Sequence, residues 1–565
     1  MVSPLLPTLL GAASLVRFGF GLFLKHSPVS FVLLTALLQL VLLLLWAVYV
    51  APRLSPLRKL PLASQGPWWS TFLLEPTPED LERFMNETAN SGLIRYFGVF
   101  HGERLLVTKS QGTKEMMLLQ AYNYDKLPLA TKLIGQVTGR GLLVAAQDEH
   151  KRQRKALLPA FKYKYIKDLF PRFWSYTAKL VAALEKEVDL VGEGSTAVVD
   201  VEGWMMRATL DVVAGTGFGL EVNAIAKPDS DLARLLPLSN STSPKATCYR
   251  LLAFLLPYWL YVRLPLARRY ELDLIVKALN DATGPLIRSR RKALAGKQIL
   301  DRDAADDDDK AASESQTATE TDVVSTLLRF KEPLTDKELM AQAATILAAG
   351  QDTTSVATTW ALYLLAHHPH IQSTLRSEVH NHLPSPDAQD ETVDAPLIES
   401  LPYLAAVCNE TLRLFPPAPV LRRHVVKPGT VVLGEYIPVG TVVMTSIWGT
   451  HRMKSVWGSD AGEFKPERFL QSDGDGKVKF DPHAGFKGEE AVYRYLPFGA
   501  GPRSCIGERY ARGEFAALVA GLIGRFEWSV LDPGQKMQED VKMNFGIVSK
   551  PEGGLLLRTR KVDSW

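Results

Sequence analysis

Residues 31–50 read FVLLTALLQLVLLLLWAVYV, a run without one charged side chain, and no Asp or Glu precedes Glu75. A helix rises about 1.5 Å per residue, so roughly twenty apolar residues match the hydrocarbon core of a bilayer. A cleaved leader is the competing reading, but its apolar core runs to only about 7–15 residues before a small-residue cleavage site. The run therefore predicts a retained transmembrane helix. A second apolar stretch, residues 5–24, is broken by Pro7, Arg17 and several glycines, and stays open between a second span and an interfacial segment. Arg53, Arg58 and Lys59 follow the main span, against Arg17 and Lys25 before it. The positive-inside rule then puts the main body in the cytoplasm. There the sequons at Asn86, Asn240 and Asn409 are expected to stay unmodified.

Beyond a basic, proline-rich linker ending near residue 60, residues 61–565 are enough for a large core. A net charge of +4 over 565 residues gives no reason to expect nucleic acid. The three cysteines, Cys248, Cys408 and Cys505, are too few and too scattered for a disulfide framework or a CxxC zinc site. Helical patterning dominates. The exception is residues 430–452, TVVLGEYIPVGTVVMTSIWGTHR, two β-branched runs joined through Gly434 and Gly440 in a hairpin-like signature. Residues 301–322, DRDAADDDDKAASESQTATETD, lack the apolar groups needed to offset ordering and read as a flexible acidic loop. Residues 251–265, LLAFLLPYWLYVRLP, are too short and proline-broken to span a membrane. A buried helix with its loop is the plainer expectation, a surface patch dipping into the membrane the other.

Two segments carry chemistry. Residues 498–507 read FGAGPRSCIG, with a helical pattern from Glu508 onward. Glycines at 499, 501 and 507 let the backbone turn tightly around Cys505, and N–H groups at the helix start can face its sulfur. Arg503, two residues before the thiol, suits an anionic group of a cofactor. A lone buried cysteine is usually inert packing, and this spacing is what argues otherwise. The second segment is a helical pattern from Thr335 to about His368, opened by a Thr335–Glu338 capping box and stopped by Pro369. Its apolar middle gives way to Ala349-Gly350-Gln351-Asp352-Thr353-Thr354. A threonine there can bond back to its own helix and Asp352 can pair with a buried base. Both are plain alternatives to a catalytic role.

Taken together, these segments resemble cytochromes P-450. Residues 498–507 match the haem-binding pattern F-x-x-G-x-R-x-C-x-G, whose five fixed positions recur by chance roughly once in millions of windows. Residues 349–354 are similar to the family's (A/G)Gx(D/E)T(T/S) element. Glu410 and Arg413 resemble its ExxR pair, Pro466-Glu467-Arg468-Phe469 its PERF element, and His150 to Arg154 its W-x-x-x-R, with histidine in place of tryptophan.

The resemblance spans about residues 65–565 and implies a mainly α helical prism with a small β-rich region, behind an N-terminal transmembrane helix. It implies haem b with its iron on the Cys505 thiolate, and His150, Arg154, Arg423, Phe498, Arg503 and Gly507 around the cofactor. Asp352 and Thr353 would manage dioxygen and the protons for O–O cleavage. Glu410, Arg413 and Arg468 would serve folding and haem retention. Cys248 and Cys408 are expected to be packing residues. With no flavin or ferredoxin domain fused to the chain, the likeness is to microsomal, fungal-type monooxygenases of the endoplasmic reticulum. These take electrons from NADPH–cytochrome P-450 reductase, with cytochrome b5 as a second donor, and oxidise lipophilic small molecules, here in secondary metabolism. A dioxygen-independent haem-thiolate isomerase or dehydratase and a non-catalytic haem or lipid carrier are the alternatives.

Overall fold

The structure is a computed structural model. It describes residues 28–73, 75–192, 196–241, 243–303, 322–330, 332, 334–388, 391–472, 474–475, 477–484, 493–532, 534, 541–563 and 565. The stretch at 5–24 and residues 304–321 of the acidic segment lie outside the described residues. Helices dominate, with small sheets between them. The chain divides into two compact units, Met1–Asp125 with Val420–Met453, and Lys126–Pro419 with Lys454–Trp565.

In the smaller unit, helix α1 (Pro28–Leu45) continues through turns at Trp46–Val50 and Ala51–Leu54. Over Leu34–Leu54 the mean hydropathy is 2.3 and none of the span is buried. Leucines so displayed are unfavourable in water at about 25 cal/mol per Å², and the helix is long and apolar enough to cross a membrane. Residues 430–452 do not form one hairpin. Val431–Val432 pairs with Glu435–Tyr436 across Leu433 and Gly434, both at positive φ (50° and 78°), as a two-residue turn demands. The second run, Val442–Ser446, joins a larger sheet instead. It lies between Gly102–Val107, which it meets in parallel, and Val420–Val425, which it meets antiparallel. Val443, Met444, Thr445 and Ser446 are all buried, so this run fills a central strand with neither face free for water.

The larger unit contains, in order, α2 (Gln147–Leu157), α3 (Phe170–Asp189), α4 (Val201–Phe218), α5 (Pro244–Leu255), α6 (Ala267–Asp303), α7 (Asp336–His367), α8 (Pro402–Leu414) and α9 (Glu508–Arg525). Both bonds of the expected capping box open α7. Thr335 Oγ1 accepts from Glu338 N at 3.2 Å, and Glu338 Oε2 accepts from Thr335 N at 2.9 Å. The helix is buried on most sides, and Gly350 lets α4 approach closely, since a Cβ there would lie 2.9 Å from Val213 Cγ2. Asp322, read from sequence as the end of the acidic loop, instead caps the short helix Val323–Leu328 by accepting from Ser325 N at 2.7 Å.

Residues 251–265 take the surface reading rather than the buried one. Helix α5 buries Ala246 and Tyr249 but exposes Leu251, Phe254 and Leu255, and the next turn exposes Tyr258 and Trp259. The same amphipathic split corrects the expectation for Cys248, which is exposed, whereas Cys408 is buried as expected. Asn409 is buried, its side-chain oxygen accepting from Tyr495 Oη at 2.8 Å and Arg512 Nη1 at 2.9 Å, so it is no glycan acceptor.

Candidate functional site

The cysteine loop is shaped by two glycines at positive φ, Gly499 (69°) and Gly501 (71°), a region costly for other residues. They turn the chain so that Cys505 N donates to Phe498 O at 2.9 Å, and α9 begins three residues after the cysteine. Burial pushes the Cys505 thiol up; the Gly507 N–H bonded to it, then Arg154 and Arg512, pull the other way. Yet the residue as a whole keeps exposed surface. A thiol in such a setting becomes a thiolate by binding a cation.

Helix α2 reaches this loop directly. Arg154 Nη1 donates to Ser504 O at 2.7 Å, and Nη2 to Ser504 Oγ at 3.3 Å. His150, one turn earlier on α2, is buried. Arg512 stacks over Phe498 with its guanidinium carbon 4.8 Å from the ring centre. Arg503 is partly buried in the loop itself. Arg423 belongs to the smaller unit, on strand Val420–Val425, where its Nη1 donates to Arg422 O at 2.9 Å.

On α7, Ile346, Ala349, Gly350 and Thr353 are half-buried and fall at i, i+3, i+4 and i+7, along one face of the helix. Ile346 and Ile506, the neighbour of Cys505, pack against the same apolar cluster. Both polar residues of the segment have protein partners. Thr353 Oγ1 donates to Ala349 O at 2.8 Å, keeping its lone pairs available as acceptors. Asp352 Oδ1 accepts from Lys550 Nζ at 3.0 Å. Both plain alternatives read from sequence are thus realised.

A third group is wholly internal. Glu410 and Arg413, both 0 % exposed at the side chain, form a two-pronged pair at 2.6 and 2.7 Å. Glu410 Oε1 also accepts from Lys465 N at 2.9 Å and Arg468 Nε at 3.0 Å. Arg413 donates further to Ala461 O and Glu463 O. The network fastens α8 to the segment around residues 461–468.

The cytochrome P450 family profile matches residues 63–558. The chain belongs to the cytochrome P450 family. It is 32% identical over 550 residues to the cytochrome P450 monooxygenase buaD of Petromyces alliaceus, covering 95% of each chain. It is also 32% identical over 531 residues to the cytochrome P450 monooxygenase sphH of Aspergillus fumigatus, covering 92% of each. The protein is a P450 monooxygenase, and the family carries a haem-thiolate cofactor. The residues present fit one. A desolvated sulfur on a residue that keeps exposed surface has an N–H aimed at it, and Arg154 reaches the loop.

Three residues of this P450 were not singled out from sequence. Lys550 and Glu202 meet Asp352 from segments far apart in the chain, and no spacing marks them. Glu514, on α9, is 1 % exposed, and neither carboxyl oxygen makes a well-formed hydrogen bond among the described residues. Its signal was a lone acid at the head of the apolar run from Phe515 to Leu522. Burial raises its pKa well above the ordinary value, and the nearby Thr354 hydroxyl offsets this only in part. A raised carboxyl binds its proton more tightly folded than unfolded. Its stabilising contribution is therefore present below about pH 4.3 and is lost as pH climbs toward the folded pKa, by about 1.4 kcal/mol per pH unit. Glu514→Gln lacks that slope. Urea unfolding between pH 5 and 8 should show wild type losing stability relative to the glutamine variant, and a flat difference would mean that Glu514 ionises normally.

Proposed function

We propose that this P450 monooxygenase inserts one atom of dioxygen into a C–H or C=C bond of a lipophilic secondary metabolite, using NADPH through a separate reductase. The Cys505 loop is the observation that carries the reading: tight glycine turns, a desolvated sulfur and a backbone N–H facing it. Haem b, when bound, supplies the dioxygen-activating chemistry. Cys505 would ligate its iron, and the Gly507 N–H would moderate the charge on the sulfur. Arg154 and Arg503 would serve as cationic partners for its propionates, with His150 beside Arg154 on α2, and Phe498 would pack against the group. Thr353 offers its hydroxyl from the half-buried face of α7, and Asp352, its sequence neighbour, brings protons to it.

The relatives buaD and sphH are named as cytochrome P450 monooxygenases, which supports the reaction class. The apolar α1 and the exposed apolar groups of α5 support an endoplasmic-reticulum anchor, a cytoplasmic catalytic body and a substrate drawn from the membrane. The basic flanks Arg53, Arg58 and Lys59 support that orientation. Cytochrome b5 is an additional electron donor on this reading.

The test is reconstitution with NADPH–cytochrome P-450 reductase, NADPH and a panel of terpenoid, polyketide and fatty-acyl compounds under labelled dioxygen. One label atom in a product, dependent on NADPH and reductase, is the expected result. Turnover without NADPH would replace it with an isomerase or dehydratase. Ligand binding with no conversion would replace it with a carrier.

A further inference from the structure

Asp352 turns from α7 toward α4 and the strand Ser549–Pro551, away from the face that carries Thr353. There Lys550 Nζ lies 3.0 Å from Asp352 Oδ1 and 3.8 Å from Glu202 Oε1, with Met206 Sδ at 3.9 Å. The three charged side chains are only 15, 12 and 14 % exposed for Lys550, Asp352 and Glu202, so solvent screens them little. One ammonium thus serves two carboxyl groups.

The frame around them is fixed. Gln351 Nε2 donates to Met206 O at 3.1 Å, and Thr209 Oγ1 donates to Gln351 O at 3.0 Å, locking α4 against α7 beside Asp352. The adaptable member is the lysine, a compact charge on a four-carbon stem. The two carboxyls also differ in their distance from the ammonium, 3.0 Å for Asp352 and 3.8 Å for Glu202. Burial raises the proton affinity of Glu202, Lys550 opposes this, and Asp200 and Asp352 add to it. Glu202, the carboxyl farther from Lys550, thus binds a proton more tightly than an ordinary glutamate.

We propose that Lys550 is a shared counter-ion that exchanges one proton between Glu202 and Asp352, making Glu202 the reserve from which Asp352 is recharged. In the exchange one proton leaves the Glu202 carboxyl and arrives on Asp352 Oδ1, while the Lys550 charge moves from Asp352 to Glu202. The charge of the cluster is unchanged, which suits a site with little solvent. Lys550 touches neither substrate nor reacting atoms and is a positioning residue. The inference rests on the reading of Asp352 as a proton-delivering group.

The test uses the reductase-coupled holoenzyme without added substrate, where NADPH is spent either on water, which needs protons for O–O cleavage, or on hydrogen peroxide. The readouts are peroxide formed per NADPH and the rate ratio between H2O and D2O. Asp352→Asn should slow the water-forming route about 100-fold, the lower bound for losing an acid, and Lys550→Met and Glu202→Gln each about tenfold. Lys550→Arg should restore it to within about twofold, because the charge is kept. A second readout needs no turnover. The ferric Lys550→Met enzyme should gain a protonated-carboxyl infrared band that disappears when Asp352→Asn is added.

No effect of Asp352→Asn would overturn the role given to Asp352 itself. A normal split in both Lys550→Met and Glu202→Gln, with Asp352→Asn impaired, would overturn this inference alone. A defect in Lys550→Met with a normal Glu202→Gln would reduce Lys550 to a clamp and overturn the exchange.

Discussion

Cys505→Ala is expected to remove the long-wavelength Soret band of the reduced, carbon-monoxide-bound enzyme and its NADPH-dependent oxidation, while leaving the loop folded. Apart from the Gly507 N–H, the bonds that shape the loop do not use the sulfur. Cys505 N donates to Phe498 O, Arg154 holds Ser504, and the turns at Gly499 and Gly501 are set by backbone conformation. Alanine satisfies all of these. Turnover should fall by at least about 10³-fold, the order expected when the group that carries the chemistry is removed. The chain has only two other cysteines, so the control is complete. Cys408, whose thiol burial pushes up, and Cys248, exposed on α5, should each be replaceable by alanine with the band intact. A band that survives in Cys505→Ala, or disappears in Cys408→Ala, would move the ligand elsewhere.

What could be seen in the sequence divides along a physical line. Features fixed by residues within about ten positions of one another were readable. The Thr335–Glu338 box, the glycine-bracketed cysteine and the Glu410–Arg413 pair all depend on local backbone geometry, and each is present. Two local patterns were ambiguous because burial decides them. The run at 251–265 was equally apolar whether its face met protein or solvent, and only the exposure of Leu255 and Trp259 separates the cases. Residues 430–452 alternated like a hairpin, but the partner of Val442–Ser446 is a strand over 300 residues upstream together with Val420–Val425. Asp352 was found by its motif, yet its counter-ion was not. Lys550 is 198 positions away and Glu202 comes from a third segment, so the charge balance exists only once α4, α7 and the strand Ser549–Pro551 are packed. Glu514 is similar, since its protonation follows from burial that its neighbours on α9 only hint at.

Glu410→Ala should be the most damaging single change to stability, at about 3–5 kcal/mol, because it leaves buried charge without its partner. Glu410 gathers four donations: two from Arg413, one from Arg468 and one from the Lys465 backbone. Without it, Arg413, fully buried, loses both bonds to a carboxylate, and carbonyl acceptors and the face of Trp457, 5.0 Å away, are weaker holds on its charge. Arg413→Lys should be nearly as harmful, because an ammonium cannot make a two-pronged carboxylate contact and reach the carbonyls of Ala461 and Glu463 together. Arg468→Ala should cost less. That side chain is 11 % exposed, and water can replace some of what it gives to Glu410 and Asp460. Against a total stability of about 5–15 kcal/mol, the larger loss leaves a protein that is partly unfolded at working temperature and retains haem poorly. Urea unfolding and haem content, measured at low and high salt, decide the point. A buried network should give the same loss at both ionic strengths, whereas removal of the surface pair Arg83–Asp80 should cost no more than about 1 kcal/mol and fade with salt. A Glu410→Ala enzyme within about 1 kcal/mol of wild type would mean that the network is solvated in the working protein, and haem retention would then need another cause.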